Sequence, residues 1–188
     1  MLITMMMSPI VIIIVLLLIY WVVVYNSLIN GRNQIRRAFS GIDVQLKKRW
    51  DLIPQLVNTV KGYAAHEASL FEKVVEARTN AKLATKSSAL TEDRLSCENV
   101  LTEHTAELMT VAEAYPELKA SEQFIMLHRN LTEVEAQIAA SRRSYNAYVV
   151  KYNNAVESFP SNIIATQHGF KVADYFSIEL GERENVRL

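Results

Sequence analysis

Apolar residues are distributed along this chain in two distinct ways. From Pro9 to Tyr25 the sequence reads PIVIIIVLLLIYWVVVY, apolar on every side of any helix. A helix crossing the hydrocarbon core of a bilayer needs about 20 mostly apolar residues, and Leu2 to Tyr25 supplies them. Lipid offers the backbone no hydrogen-bond partner, so such a span must be helical. Tyr20, Trp21 and Tyr25 gather at its C-terminal end, where amphipathic rings favour the headgroup level. The pattern predicts a transmembrane anchor.

Beyond the anchor the apolar positions become periodic. Counted by heptads from Phe124, the seam runs Phe124, Leu127, Leu131, Val134, Ile138, Ser141, Tyr145, Tyr148, Tyr152, Ala155, Phe159. A repeat of 3.5 residues sustained this long predicts one coiled-coil-like helix from Ser121 to Phe159. Ser121 is a suitable N-cap, and Pro160 disfavours helical geometry in the residue before it. Upstream, Ile35, Phe39, Ile42, Leu46 and Ile53 form a similar stripe, resuming as Val57, Val60, Ala64, Phe71, Val74, Arg78 and Ala81. Pro54 cannot donate to the carbonyl of Trp50, which predicts a kink or break at Leu52 to Pro54. The anchor helix can run on into this stripe, or stop at Asn30-Gly31.

A third helix is expected from Thr91 to Tyr115, with Leu101, Leu108, Ala112 and Tyr115 inward. Ala84 to Leu90 reads as the connecting loop, and Tyr115-Pro116-Glu117-Leu118 as a tight corner. Long helices with short connections run antiparallel. The expected fold is all-α: an N-terminal transmembrane helix (residues 1–31), then an antiparallel bundle of long helices (32–180). After Pro160, Ser161 to Ala165 suggests a short helical turn. Gly169, Phe170, Tyr175 and Phe176 suggest an extended tail pinned by aromatics, and Gly181 to Leu188 a mobile end.

Composition supports the anchor over its rivals. The first 31 residues carry no charged side chain. A cleaved signal peptide wants a basic start and a small-residue cleavage site; here nothing basic precedes the run and large aromatics close it. A soluble core helix is rarely so long and so uniformly apolar. Arg32, Arg36, Arg37, Lys47, Lys48 and Arg49 follow the anchor, against Asp43 and Asp51. The excess of Lys and Arg places the bulk of the chain in the cytoplasm and the N-terminus outside, at the inner membrane. A large domain can also be translocated despite its charge, so the opposite orientation is the alternative. The same six basic residues are candidates for facing anionic lipid. The 20 basic and 20 acidic residues cancel, which argues against a nucleic-acid binder. The lone Cys97 allows no intrachain disulfide.

Catalytic chemistry finds little footing. Dimetal bundles use Glu-x-x-His pairs, but the residues three before His66, His104, His128 and His168 are Tyr63, Leu101, Ile125 and Ala165. No HExxH occurs. His104 stands seven residues after Cys97, too far along a helix for a nucleophile–base pair. No glycine cluster could cradle phosphate. Neither metal nor cofactor is expected, and the chain does not read as an enzyme.

A polar–aromatic repeat on the long helix is more suggestive. Tyr145-Asn146 recurs as Tyr152-Asn153. Arg142 lies beside the seam and needs a partner, and Glu135 is on the same face. The plain reading is a network fixing helix register. The functional reading is a docking or self-association surface including Glu135, Arg142, Tyr145, Asn146, Tyr152, Asn153, Phe170, Tyr175 and Phe176. A tail folded back over the bundle would instead leave a monomer.

These residues carry a resemblance. Tyr25-Asn26-Ser27-Leu28, Ile42-Asp43-Val44-Gln45-Leu46-Lys47-Lys48-Arg49, Asp51-Leu52-Ile53-Pro54 and Gly62-Tyr63-Ala64-Ala65-His66-Glu67 resemble the LemA family. So do Tyr115-Pro116-Glu117-Leu118, Arg142-Arg143, Tyr145-Asn146, Tyr152-Asn153, Phe159-Pro160, Gly169-Phe170 and Tyr175-Phe176. The likeness spans Tyr25 to Glu179, with Trp50 where the pattern has tyrosine. It implies a bacterial envelope protein with an N-terminal anchor and a long-helix bundle, without established enzymatic activity. Such proteins are often encoded near membrane metalloproteases, and magnetosome-associated relatives exist. The expected function is a membrane-anchored structural or adaptor protein that binds lipid, protein partners and its own copies. The alternative is a non-catalytic regulatory subunit of a membrane enzyme such as a metalloprotease.

Overall fold

The computed structural model describes residues 9–85 and 92–176. The first residues of the expected anchor, most of the Ala84–Leu90 loop and the Gly181–Leu188 tail lie outside them. The described residues are helical apart from short connections and one extended segment. Six helices follow in order: α1 Pro9–Lys61, α2 Ala68–Ala84, α3 Glu92–Glu113, α4 Pro116–Lys119, α5 Glu122–Glu157 and α6 Ser161–Gln167. Two compact units form, one from residues 9–39 with 143–176, the other from residues 40–142. The long helices α1 and α5 each supply a part of both.

The first surprise is the length of α1, 53 residues with Pro54 inside. The expected break at Leu52–Pro54 does not occur. Proline removes the N–H that would bond the carbonyl four residues back, and that carbonyl belongs to Trp50. Arg78 on α2 takes the vacated place, its Nε donating to the Trp50 carbonyl oxygen at 2.6 Å. The orphan created by the ring is thus satisfied from a neighbouring helix.

Nor does Asn30-Gly31 stop α1. A Cβ at Gly31 would stand 3.0 Å from Cδ2 of Tyr152. This glycine lets α5 approach, and ends nothing. Within the same unit Phe39 lies against Tyr145, ring centroids 6.1 Å apart. Numbers rise along α1 as they fall along α5, so the two run antiparallel here.

The true break comes at Gly62 to Glu67, inside what the sequence reads as one stripe. The Val60 carbonyl accepts from Tyr63 and Ala64 N–H at 3.0 and 2.9 Å. The Glu67 carbonyl then accepts from Leu70 and Phe71 at 3.1 and 3.2 Å, opening α2. Ala64, fully buried, seats the turn against the core.

Residues 40–142 make a four-helix bundle. α2 turns back so that its Arg78 reaches Trp50 of α1, and α3 packs on α2. Asp43 and Arg49 of α1 pair with Arg94 and Glu98 of α3, so those helices are parallel. α4 forms the corner into α5. Tyr115 is extended (φ −111°, ψ 95°) and Pro116 opens the turn, as the restriction before proline demands. The core includes Ile42, Leu46, Ile53, Val60, Val74, Leu101, Leu108, Leu118, Leu131 and Ile138, all buried. Tyr115 itself is half-buried.

Along α5 the first seam position of each heptad stays buried from Phe124 through Leu131, Ile138, Tyr145 and Tyr152, while the second is buried at Leu127 and Val134 and has slipped outward by Tyr148. Tyr148 is 40% exposed while Val149 is fully buried. A straight helix drifts about 20° per heptad against a 3.5 repeat, so by the fourth heptad the next position turns inward. Phe159 lies beyond the end of α5 and is exposed.

Candidate functional site

Two constructions stand out, one in each unit. In residues 40–142 the centre is Arg49, only 1% exposed. It was expected on a basic face; instead it points into the bundle. The stripe Ile42, Leu46, Arg49, Ile53 explains why, since spacings of three and four put position 49 on the buried side of α1. Its guanidinium donates to the Glu98 carboxylate, to the Thr102 hydroxyl at 2.8 Å and to Glu135 Oε1 at 2.9 Å. A longer bond of 3.4 Å reaches the Glu98 carbonyl. One arginine thereby ties α1 to α3 and α5.

Burial dominates the electrostatics. Desolvation raises the Glu98 carboxyl above its ordinary range, and the Arg49 charge and hydrogen bond oppose that rise. Arg142 feels the same field: burial, then repulsion from Arg49, lowers its guanidinium, while Glu135 and Glu98 pull it back up. Among the described residues Glu98 Oε1 has no hydrogen-bond partner. Arg94, also buried, pairs with Asp43 one turn and a half earlier along the same α1–α3 seam. The sequence joins Glu135 with Arg142, but Glu98, Thr102 and Arg94 went unread. Their signal was present. The inward stripe of α3, followed back from Ala112 through Leu108, Thr105 and Leu101, lands on Glu98 and Arg94. Saturated by carboxylates and a hydroxyl, Arg49 has no free donor to offer a substrate from its terminal nitrogens. The arrangement holds helices in register.

The second construction explains the Tyr-Asn repeat. In residues 9–39 with 143–176, the segment after α6 returns along α5. Asn146 receives the Phe176 N–H on Oδ1 at 2.8 Å and donates Nδ2 to the Phe176 carbonyl at 3.0 Å. Asn153 does the same for Ala173, at 2.8 and 2.9 Å. Tyr145 adds its hydroxyl to the Asp174 carbonyl at 3.0 Å. Each asparagine presents a donor and an acceptor side by side, as a peptide does. Seven helical residues rise about 10.5 Å. Three residues of a threefold extended chain advance about 9 Å and bring the peptide back to the same side. The two repeats therefore meet.

Aromatics close the clasp. Phe176 and Phe170 are buried, whereas Tyr175 is 50% exposed and pins nothing. Tyr25 meets Phe170 and His168 at 5.9 and 4.8 Å, and Arg32 lies 5.4 Å over the Phe170 ring. Burial raises the Tyr145 phenol, with Asp174 adding to it. Burial also raises Tyr152, against Arg32. Of the residues expected at a partner surface, Tyr145, Asn146, Asn153, Phe170 and Phe176 are engaged inside the chain.

The remaining basic residues Arg36, Arg37, Lys47 and Lys48 are exposed. The histidines scatter: His168 beside Trp21 and Tyr25, His128 stacked on Phe124, His104 3.4 Å from Glu107. Among the described residues no three His, Cys, Asp or Glu side chains gather as metal ligands would.

A sequence model of the LemA family matches residues 38–188. Two curated relatives, the magnetosome proteins MamQ 1 and MamQ 2 of Paramagnetospirillum magneticum, are each 27% identical over 174 residues, covering 81% of this chain and 64% of theirs. Protein LemA of Metamycoplasma hominis is 25% identical over 143 residues, covering 74% of this chain and 63% of its own. The chain thus spans less than two thirds of the length of these relatives.

Proposed function

Because the chain belongs to the LemA family, we propose that it is a single-pass, non-catalytic adaptor of the bacterial cell envelope, working through protein contacts and self-association at the bilayer. One observation carries the membrane reading. Val11 to Ile19 are each 42–62% exposed on a continuous helix, and no other described part of the chain covers them. Apolar surface on every side of a helix belongs in lipid. The helix then continues into the bundle without interruption, so the anchor has no loop at its end.

The Lys and Arg excess after the anchor favours a cytoplasmic C-terminal domain. Cys97, half-buried on α3, reports on this. A membrane-impermeant maleimide is expected to label it in opened cells and to leave it unlabelled in intact ones. Rapid labelling of intact cells reverses the orientation.

The segment after α6 folds back on α5 and occupies Tyr145, Asn146 and Asn153. This takes that face out of any contact between copies, so self-association rests on confinement and on other apolar residues. An anchor holds all copies in one plane, which raises effective concentration and populates weak contacts. Phe159, Ile163, Val172 and Tyr175 remain exposed at 80, 53, 51 and 50% and are suited to such contacts. Mass photometry of the full chain in nanodiscs is expected to show masses above one copy. A single one-copy peak across a wide concentration range ends the self-association half of the reading.

A further inference from the structure

Just past the apolar segment of α1 a cavity of about 460 Å³ opens between α1 and α5. Its floor on α1 is an amide ladder, Asn26, Asn30 and Gln34, joined by Ser27; α5 contributes Tyr148 and Lys151. Val23, at the end of the apolar run, borders it. Among the described residues Lys151 is the only formal charge in its wall. The cavity beside Gln45 is different, mixing Lys48 with Asp51 and Glu133. Amides and hydroxyls that bond phosphate and glycerol oxygens, one ammonium with no ion pair among the described residues and an apolar lip make an unusual combination.

Depth matters as much as chemistry. Polar headgroup layers extend about 5–8 Å beyond each side of the hydrocarbon core. At 1.5 Å per residue, Asn26 lies about 1.5 Å and Asn30 about 7.5 Å past Tyr25 along the helix. The ladder therefore begins at the edge of the apolar span and crosses the headgroup layer. The volume suits a small polar group. We propose that this cavity binds the phosphate-bearing headgroup of one anionic glycerophospholipid, with Lys151 neutralising the phosphate and the amide ladder holding the glycerol oxygens. The acyl chains lie along the exposed Val11–Val23 face. The proposal rests on the reading of Pro9–Tyr25 as a membrane span.

The test is native mass spectrometry of the full chain released from nanodiscs of mixed phosphatidylcholine and phosphatidylglycerol. The wild-type chain is expected to retain phosphatidylglycerol in preference. Lys151→Gln, an exposed position, is expected to lower that retention about fivefold, the effect of one basic residue at a charged surface. Lys171→Gln, an exposed lysine of the same unit outside the cavity lining, is expected to leave it unchanged. Asn30→Ala checks the ladder and is expected to weaken retention without altering charge. Equal retention of both lipids overturns the proposal. So does an equal loss in Lys151→Gln and Lys171→Gln, which marks a diffuse field. Displacement of the lipid by soluble glycerol phosphate at matched concentration also overturns it, since the site then recognises the free anion. A chain that embeds normally yet retains lipid unselectively sinks the cavity alone. A chain that fails to embed sinks the anchor with it.

Discussion

Replacing Arg49 with methionine is expected to destabilise the bundle by about 3–5 kcal/mol. The native pair is buried on both sides, with side-chain exposures of 1% for Arg49 and 2% for Glu98. Methionine fills much of the volume, so the loss is electrostatic: Glu98 remains inside without its cation. Thr102 also loses a donor, while Glu135, 37% exposed, turns to water. The double variant Arg49→Met with Glu98→Leu is expected to recover most or all of the stability, because a buried ion pair exchanged for apolar residues is often neutral or better. Thermal unfolding followed by circular dichroism, with the full chain in nanodiscs, separates these cases. A single variant as stable as wild type means that the cluster is not buried as described.

The same variants carry a pH signature whose sign is fixed by Glu98. Its carboxyl is raised in the folded chain, by burial first and against the pull of Arg49. A raised acid adds stability that is complete below its unfolded pKa, about 4.3, and is lost as pH climbs through the folded value. The difference between wild type and Glu98→Gln should therefore shift against wild type as pH rises from that point. Without Arg49 the opposing pull disappears, and the loss in Arg49→Met grows toward neutral pH and shrinks in acid. Taking differences cancels the other carboxylates.

What the sequence disclosed and what it hid follow from how local each cause is. Uniform apolarity over Pro9–Tyr25 and the period of α5 are properties of neighbouring residues, so the long apolar N-terminal helix, the all-α class and the long helices were legible. Pro54 was read as a kink or break, and α1 runs through it unbroken because Arg78, 28 positions away, bonds the carbonyl that the ring leaves free. Asn30-Gly31 left both a stop and a continuing helix open, because what Gly31 serves lies in Tyr152 of the same unit. Arg49 looked like surface charge because it stands in the run Lys47-Lys48-Arg49, and only its phase on the stripe separates it from its neighbours. The Tyr-Asn repeat was visible, but its partner is backbone at Ala173 and Phe176, and backbone has no sequence signature.

That last pairing makes the strongest local prediction. Changing both Asn146 and Asn153 to alanine is expected to release residues 171–176 from α5. Four hydrogen bonds are lost, and at about 0.5–1.5 kcal/mol each the attachment weakens by about 2–6 kcal/mol. Amide hydrogen exchange reads this residue by residue. The Ala173 and Phe176 amides should exchange about thirtyfold faster or more, which corresponds to the lower end of that range. The Phe170 N–H, bonded to the Ala165 carbonyl at 2.9 Å, should stay protected, because its partner is untouched. Asn146→Asp is the finer instrument. It keeps an acceptor for the Phe176 N–H but gives the Phe176 carbonyl no donor, so it should loosen residue 176 and leave Ala173 on Asn153. If Ala173 and Phe176 keep their protection in the double alanine variant, the aromatic contacts of Phe170 and Phe176 hold the segment and the asparagines are incidental. If α5 loses protection along its whole length, the asparagines serve the helix rather than the tail. Loosening confined to residues 171–176 is the outcome that two matched asparagine clasps require.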